Sequence, residues 1–135
     1  MSETIEFEIT HEYSPHDIGI KIDLELRKGD VCVNEAASVD TGATYCIFKR
    51  FLGEGLNLEI ETGIPVMIGT VTGSFRAFGH ELTLRVLGIE VVSTVYFAES
   101  EYFDRNVLGR IGWLDRVKLG LIEPEGKLFL SQYTQ

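Results

Sequence analysis

Cysteine, proline, histidine and long apolar runs are all scarce in this 135-residue sequence, and each shortage removes a class of protein. Only Cys32 and Cys46 are present, so there is one disulfide at most, and no Cys-x-x-Cys spacing suggests zinc or thiol–disulfide exchange. Cys46 lies in an apolar stretch and Cys32 between two valines, so both are expected as buried small hydrophobes. His11, His16 and His80 are dispersed and none stands at ligand spacing from another His or Cys, so no metal is expected. No apolar run approaches the ~20 residues of a membrane-spanning helix. Met1-Ser2-Glu3-Thr4-Ile5-Glu6 lacks the basic start and apolar stretch of a secretory signal, which leads us to expect a cytoplasmic protein. Positive charge is short as well: 12 Lys and Arg against 21 Asp and Glu give a net charge of −9. That balance argues against nucleic acid and against anionic membrane surfaces as partners, because both are bound by clustered Lys and Arg.

What is present is ordinary globular composition, 44% hydrophobic and 24% charged, at a length that suits one domain. Most of the chain alternates with period two. Ile5, Phe7 and Ile9 alternate with Glu6 and Glu8, which predicts a first strand over residues 5–9 before Pro15 interrupts. Ile18, Ile20, Ile22, Leu24 and Leu26 form the clearest half-buried strand, and Arg27-Lys28-Gly29-Asp30 turns it into Val31-Cys32-Val33. Phe48, Phe51 and Leu52, ahead of Gly53 and Gly55, suit a short helix, and residues 110–117 suit one or two helical turns. A second hairpin runs out from Pro65 to Thr70, turns near Thr72-Gly73 and returns from Phe75 to Phe78. Leu82, Leu84 and Val86 then alternate with Thr83 and Arg85, a strand follows over residues 91–97, and a last hairpin turns at Pro124-Glu125-Gly126. Short strands joined by glycine-bearing turns predict an all-β barrel or sandwich with small helical insertions.

One tetrapeptide carries chemistry. Asp40-Thr41-Gly42-Ala43 places an acid directly after the apolar strand end Ala36-Ala37-Ser38-Val39, with a glycine two residues on. The glycine lets backbone N–H groups approach the carboxylate, and the threonine hydroxyl can brace the loop. Taken by itself the triplet also suits an ordinary Asx-type turn. Further along, Asn106-Val107-Leu108-Gly109-Arg110 follows an intervening hairpin. In this order the elements resemble the retropepsin family, single-domain aspartic proteases typified by retroviruses and found also as stand-alone bacterial proteins. Residues 37–43 resemble the family's apolar-apolar-Asp-Thr-Gly-Ala loop, and residues 106–110 its Asn-apolar-apolar-Gly-Arg element. Met67-Ile68-Gly69-Thr70-Val71-Thr72-Gly73-Ser74-Phe75 is similar to its glycine-rich flap. The likeness covers about residues 18–130, with 1–17 as an N-terminal arm of a single domain over 1–135.

The resemblance implies a closed β-barrel of acid-protease fold with a flap hairpin and one or two short helices. It implies an aspartic endopeptidase without cofactor, built as a homodimer because each chain carries one Asp-Thr-Gly. Asp40 would pair with its symmetry mate, Thr41 would bond across the two-fold axis, and Gly42 would offer its carbonyl to a peptide substrate. Ala43, Met67, Ile68, Gly69, Thr70 and Val71 would line the substrate, while Leu108, Gly109 and Arg110 would support the loop from behind. In retroviral members an acidic residue after the Ala pairs with the Gly-Arg arginine; here Thr44 stands there, leaving Asp104 or Asp115 as substitutes. The terminal segments 5–9 and 128–130 either interleave in a dimer or complete the barrel. A glycine-poorer flap implies a stiffer lid. Two other readings compete: a catalytically silent peptide-binding or dimerisation module of the same fold, and a small-molecule-binding β-barrel. His80-Glu81 reads as an exposed polar pair, and Trp113 as core.

Overall fold

A computed structural model describes residues 1–134 of the chain. The alternation that predicts the first long hairpin is realised in β2 (Ile20–Lys28) and β3 (Val31–Val39), where Ile22, Leu24 and Leu26 are buried and Lys21 and Asp23 are exposed. The two-residue turn between them has Gly29 at its first central position with φ +61°, a left-handed conformation that costs glycine little. The remaining strands of this sheet are β4 (Ile47–Phe48), β5 (Ile64–Thr70), β6 (Gly73–Val86), β7 (Ile89–Ala98) and β8 (Val107–Leu108). Their order is β2-β3-β8-β4-β7-β6-β5, and β6 also pairs with β2, with Leu26 opposite Leu84. Six strands therefore close into a ring, and β5 is left as a free edge on the outer half of β6.

β6 makes this possible by its length. Phe75 to Phe78 and Leu82 to Val86, separate in the alternation, are one 14-residue strand. Gly79 keeps it continuous, because a Cβ there would sit 2.8 Å from the Tyr96 ring. At its far end Leu87 and Gly88 both take positive φ, +50° and +85°, as a type I′ hairpin requires. Leu87 packs against the core, which offsets the strain of a side chain in that conformation. The core fills the ring with Leu24, Leu26, Phe48, Leu84, Val95, Phe97, Leu108 and Trp113 among others.

A second sheet, β1-β10-β9, is formed by β1 (Ile9–Glu12), β9 (Val117–Ile122) and β10 (Lys127–Gln132). The N-terminal strand thus begins at Ile9 rather than over residues 5–9. Its ladder stops at Ile9 opposite Leu130, and beyond it the Glu8 N–H donates to the Ser131 hydroxyl at 2.7 Å. Within one chain, then, the C-terminal strand pairs with the N-terminal one and completes the domain. Three further expectations change. Cys32 is exposed, since the period of β3 turns it away from the face that carries its valine neighbours; Cys46 is buried. Phe48 belongs to β4 and Phe51 is exposed, so the helix α1 (Arg50–Gly55) buries Leu52 and Gly53 only. Residues 110–117 contain a single 3-10 turn at Leu114–Arg116, because Gly112 has φ +107° and breaks a helix there.

Arg50 ties α1 to the 3-10 turn at Ile60–Thr62. Its guanidinium grips Glu61 through two bonds of 2.5 and 2.9 Å, and also reaches Glu54 at 3.3 Å and the Glu99 carbonyl at 3.1 Å. The hydrogen bond from Arg50 holds the Glu61 carboxyl below its ordinary range. A carboxylate depressed in this way stabilises the fold above its unfolded-state pKa, and that contribution disappears as pH falls through the folded value. Wild type should therefore melt above Glu61→Gln at neutral pH, with the gap closing in strong acid. Thermal melts across that range check it, and a gap independent of pH would remove Glu61 as its source.

Candidate active site

β3 delivers Asp40 to the end of the sheet, and β8 holds it there. The strands run parallel, with Ser38 opposite Val107 and Val39 opposite Leu108. The Asp40 N–H donates to the Leu108 carbonyl at 3.0 Å, and the Ser38 N–H to the Asn106 carbonyl at 2.9 Å. The loop then closes on itself. The Ala43 N–H donates to the Asp40 carbonyl at 3.2 Å, and the Gly42 N–H donates to Asp40 Oδ1 at 2.9 Å. One carboxylate oxygen is fixed by backbone, and among the described residues no side chain bonds the other. Asp40 is half-buried while Thr41 and Gly42 are exposed, so the outer side of the loop is open.

Leu108 and Gly109 lie buried behind this loop, where Gly109 has no room for a side chain: a Cβ would run into the Tyr45 carbonyl and come within 2.8 Å of the Ala43 carbonyl. That close approach lets the Arg110 N–H reach the Ala43 carbonyl at 2.9 Å and the Ile111 N–H reach that of Thr44 at 2.8 Å. Asn106 staples the entry to β8 with its buried amide, accepting from the Lys49 N–H at 2.9 Å and donating to the Ala36 carbonyl at 3.2 Å. Cys46 Sγ accepts from the Gly109 N–H at 3.4 Å, and burial pushes its thiol up to about 11, so it is a packing group and not a nucleophile.

β5 and β6 form a hairpin that arches over this loop, enclosing an open cleft of about 620 Å³. Asp40, Gly42 and Ala43 line one side, and Met67, Ile68, Gly69, Thr70 and Val71 the other. The turn residues are Val71 and Thr72, with Thr70 paired to Gly73, and Val71 at the tip is fully exposed. The Thr70 hydroxyl donates to the Gly73 carbonyl at 2.9 Å, bracing the tip where a glycine-rich flap would have freedom. Lower down, the Phe75 and Phe103 rings stack at 4.9 Å and the Glu99 N–H donates to the Arg76 carbonyl at 2.9 Å. These contacts pin the hairpin to the segment before β8.

Thr41 and Arg110 face a different cavity, shared with Thr44, Ile111, Leu114 and Asp115. Neither candidate partner serves Arg110. Asp115 Oδ1 accepts from the Gly112 N–H at 3.0 Å and lies 3.5 Å from Arg116, and Asp104 makes no ion pair among the described residues. Tyr45, Ile47, Phe103 and Arg105 also line the cleft without having been singled out in the sequence, beside Phe75 of the flap segment and Val107 of the Asn106–Arg110 element. Tyr45 and Ile47 continue the alternation from Ala43 and were within reach of a pattern argument; Phe103 and Arg105 sit in an irregular segment with no period. His80 is half-buried, its Nε2 2.9 Å from the Ile60 carbonyl, and does not line the cleft; Trp113 is core. Among the described residues no cluster of three or more His, Cys, Asp or Glu side chains is arranged to hold a metal ion, and no helix is long and apolar enough to cross a membrane.

Gly109→Ala should lose about 1–3 kcal/mol of stability, since the new methyl meets backbone carbonyls that cannot step aside. Urea unfolding measures it; wild-type stability in the variant would mean that the loop yields freely.

No protein-family model matches the sequence, and no curated protein matches it. Among solved structures the chain is similar to EIAV protease complexed with an inhibitor, at a TM-score of 0.54 and 19% identity. The alignment covers 73% of this chain and 88% of that one. At this identity the likeness speaks to fold, and the fold is all-β and retropepsin-like.

Proposed function

We propose that the chain is an aspartic endopeptidase that acts as a homodimer on extended peptides. The observation that carries this reading is the placement of Asp40: on a backbone-braced turn, facing a cleft roofed by an edge strand. A solitary carboxylate cannot both activate water and polarise a carbonyl, and among the described residues Asp40 is the sole acid lining this cleft. A second copy about a two-fold axis would supply the other one, and the exposed outer side of the Asp40 loop leaves room for it.

Two carboxylates ~3 Å apart cannot both ionise, so the pair holds one proton. The ionised Asp40 takes a proton from a water lying between them, and the oxygen attacks the peptide carbonyl. The protonated Asp40 donates toward the carbonyl oxygen as it becomes tetrahedral. Return of a proton to the leaving nitrogen then breaks the C–N bond and releases acid and amine. The substrate backbone would lie along β5, whose outer edge pairs with no other strand among the described residues, adding hydrogen bonds in the manner of a sheet. Met67, Ile68 and Val71 would cover apolar side chains, and the Thr70 brace would hold the tip in shape over them. The need for one proton on the pair places the optimum in acidic to weakly acidic solution.

Asp40→Asn should abolish cleavage of a diverse peptide pool between pH 4 and 7 while leaving the fold intact, with products read by mass spectrometry. Cuts made equally by the variant would exclude this mechanism. Thr41→Ala should weaken self-association by on the order of 1 kcal/mol for each cross-axis hydrogen bond lost. Sedimentation equilibrium tests it, an unchanged association constant counting against the assignment.

A further inference from the structure

The chain has seven arginines among a large excess of carboxylates. Arg27, Arg50, Arg76 and Arg116 are each held by an acidic side chain. Among the described residues Arg85, Arg105 and Arg110 form no ion pair. Arg85 lies in an outer groove with Asp23, Glu25 and Glu35, and Arg110 lies behind the Asp40 loop. Arg105 alone of the three faces the cleft, where it is the one cationic side chain among the described residues, and it also lines an adjoining cavity together with Asp40, Asp17, Asp104 and Lys21.

Its backbone is well anchored. Two residues earlier Phe103 stacks on Phe75 at 4.9 Å, and the next residue is the buried staple Asn106, bonded to Lys49 and Ala36. The backbone that carries the guanidinium is therefore fixed, with Phe75 and Phe103 beside it, so a ligand meeting it orders the exposed side chain but not the segment. A planar fork of donors in that setting suits a carboxylate, which it can grip through two parallel bonds. Among the described residues Asp40 is the only negative charge in the cleft, and in the peptidase reading its backbone-fixed carboxylate serves the reacting bond.

We propose that Arg105 is an anion-recognising position that selects peptides carrying an Asp or Glu side chain close to the bond held at Asp40. This rests on the peptidase reading for the position of that bond. In a symmetric dimer one Arg105 stands on each wall, so an acidic residue is accepted on either side of the cut. The substrates are then apolar, extended segments bearing one acidic residue, not uniformly apolar ones.

The test uses one degenerate decapeptide library in two ways. Wild type, Arg105→Gln and Arg105→Glu are each incubated with it and the products sequenced by mass spectrometry. Asp40→Asn protein, with and without each Arg105 change, is immobilised and the retained peptides sequenced. Arg105 is exposed, so its variants keep the fold. We expect Asp and Glu near the cut to be favoured roughly tenfold over Asn and Gln by wild type. That preference should vanish in Arg105→Gln and turn to Lys and Arg in Arg105→Glu, with the same pattern among retained peptides. Identical profiles for wild type and Arg105→Glu would overturn the assignment, as would the absence of both cutting and Arg105-dependent retention. Arg105-dependent retention of acidic peptides, with nothing cut by wild type, would sustain the anion site and sink the peptidase reading instead.

Discussion

The passage of two residues, Val107 and Leu108, between β3 and β4 is the constraint on which the rest of the structure depends. β8 pairs parallel with β3 and antiparallel with β4, so it closes the ring and supports the Asp40 loop in one step. Without it the Asp40 N–H would lose its acceptor and the core would open along two strand edges. Such a short strand cannot hold its place by ladder bonds alone. It is fixed at its entry by the buried Asn106 amide and at its exit by Gly109, whose missing side chain lets the backbone lie against Tyr45 and Ala43. The low dielectric around Asn106 makes these bonds strong and makes their loss costly.

From that closure the position of the flap follows. β6 pairs with β2, β7 and β5 along its length, so the same strand that seals the barrel carries the hairpin over the cleft. Phe75 on β6 meets Phe103 in the segment leading to β8, and the roof and wall of the cleft are thereby linked to the strand that holds Asp40. A movement of the hairpin as a whole has to break that stack, whereas the tip beyond Met67 is restrained mainly by its own turn. Mobility is thus expected to concentrate at Gly69 to Gly73, where side chains are exposed and packing is sparse.

Charge is distributed to the same end. Most of the acids lie outside the strands, in turns, loops and terminal segments, and Arg27, Arg50, Arg76 and Arg116 are each paired with an acid, which among the described residues leaves the cleft with one carboxylate and one guanidinium. Opposite charges in one cleft are poorly suited to a uniformly apolar ligand. Under the proposed peptidase reading they would suit a peptide whose carbonyl is engaged by one group and whose acidic side chain is engaged by the other.

Much of this was legible in the sequence, for a physical reason: period-two alternation is local, and a strand buried on one face must show it. β2, β3, β7 and the hairpin at Pro124 were accessible in this way, as was the Asp40 loop, because a carboxylate served by a glycine N–H two residues on is a local device. What the sequence could not settle depends on contacts between distant segments. Whether residues 5–9 or 9–12 pair with the C-terminal strand is decided by register against Leu130, and whether Cys32 is buried is decided by which face of β3 meets the core. The helical spacing of Phe48 and Phe51 was overruled by the pairing of Phe48 with β7. Phe103 and Arg105 became cleft residues only through the stack on Phe75 and the staple at Asn106. By itself the sequence determined an all-β chain with one acid placed on a tight glycine turn, since both are set by neighbours along the backbone. Only the tertiary structure decided what stands opposite that acid, since side chains from β5, β6 and the segment before β8 converge on it through ring closure and not through sequence proximity.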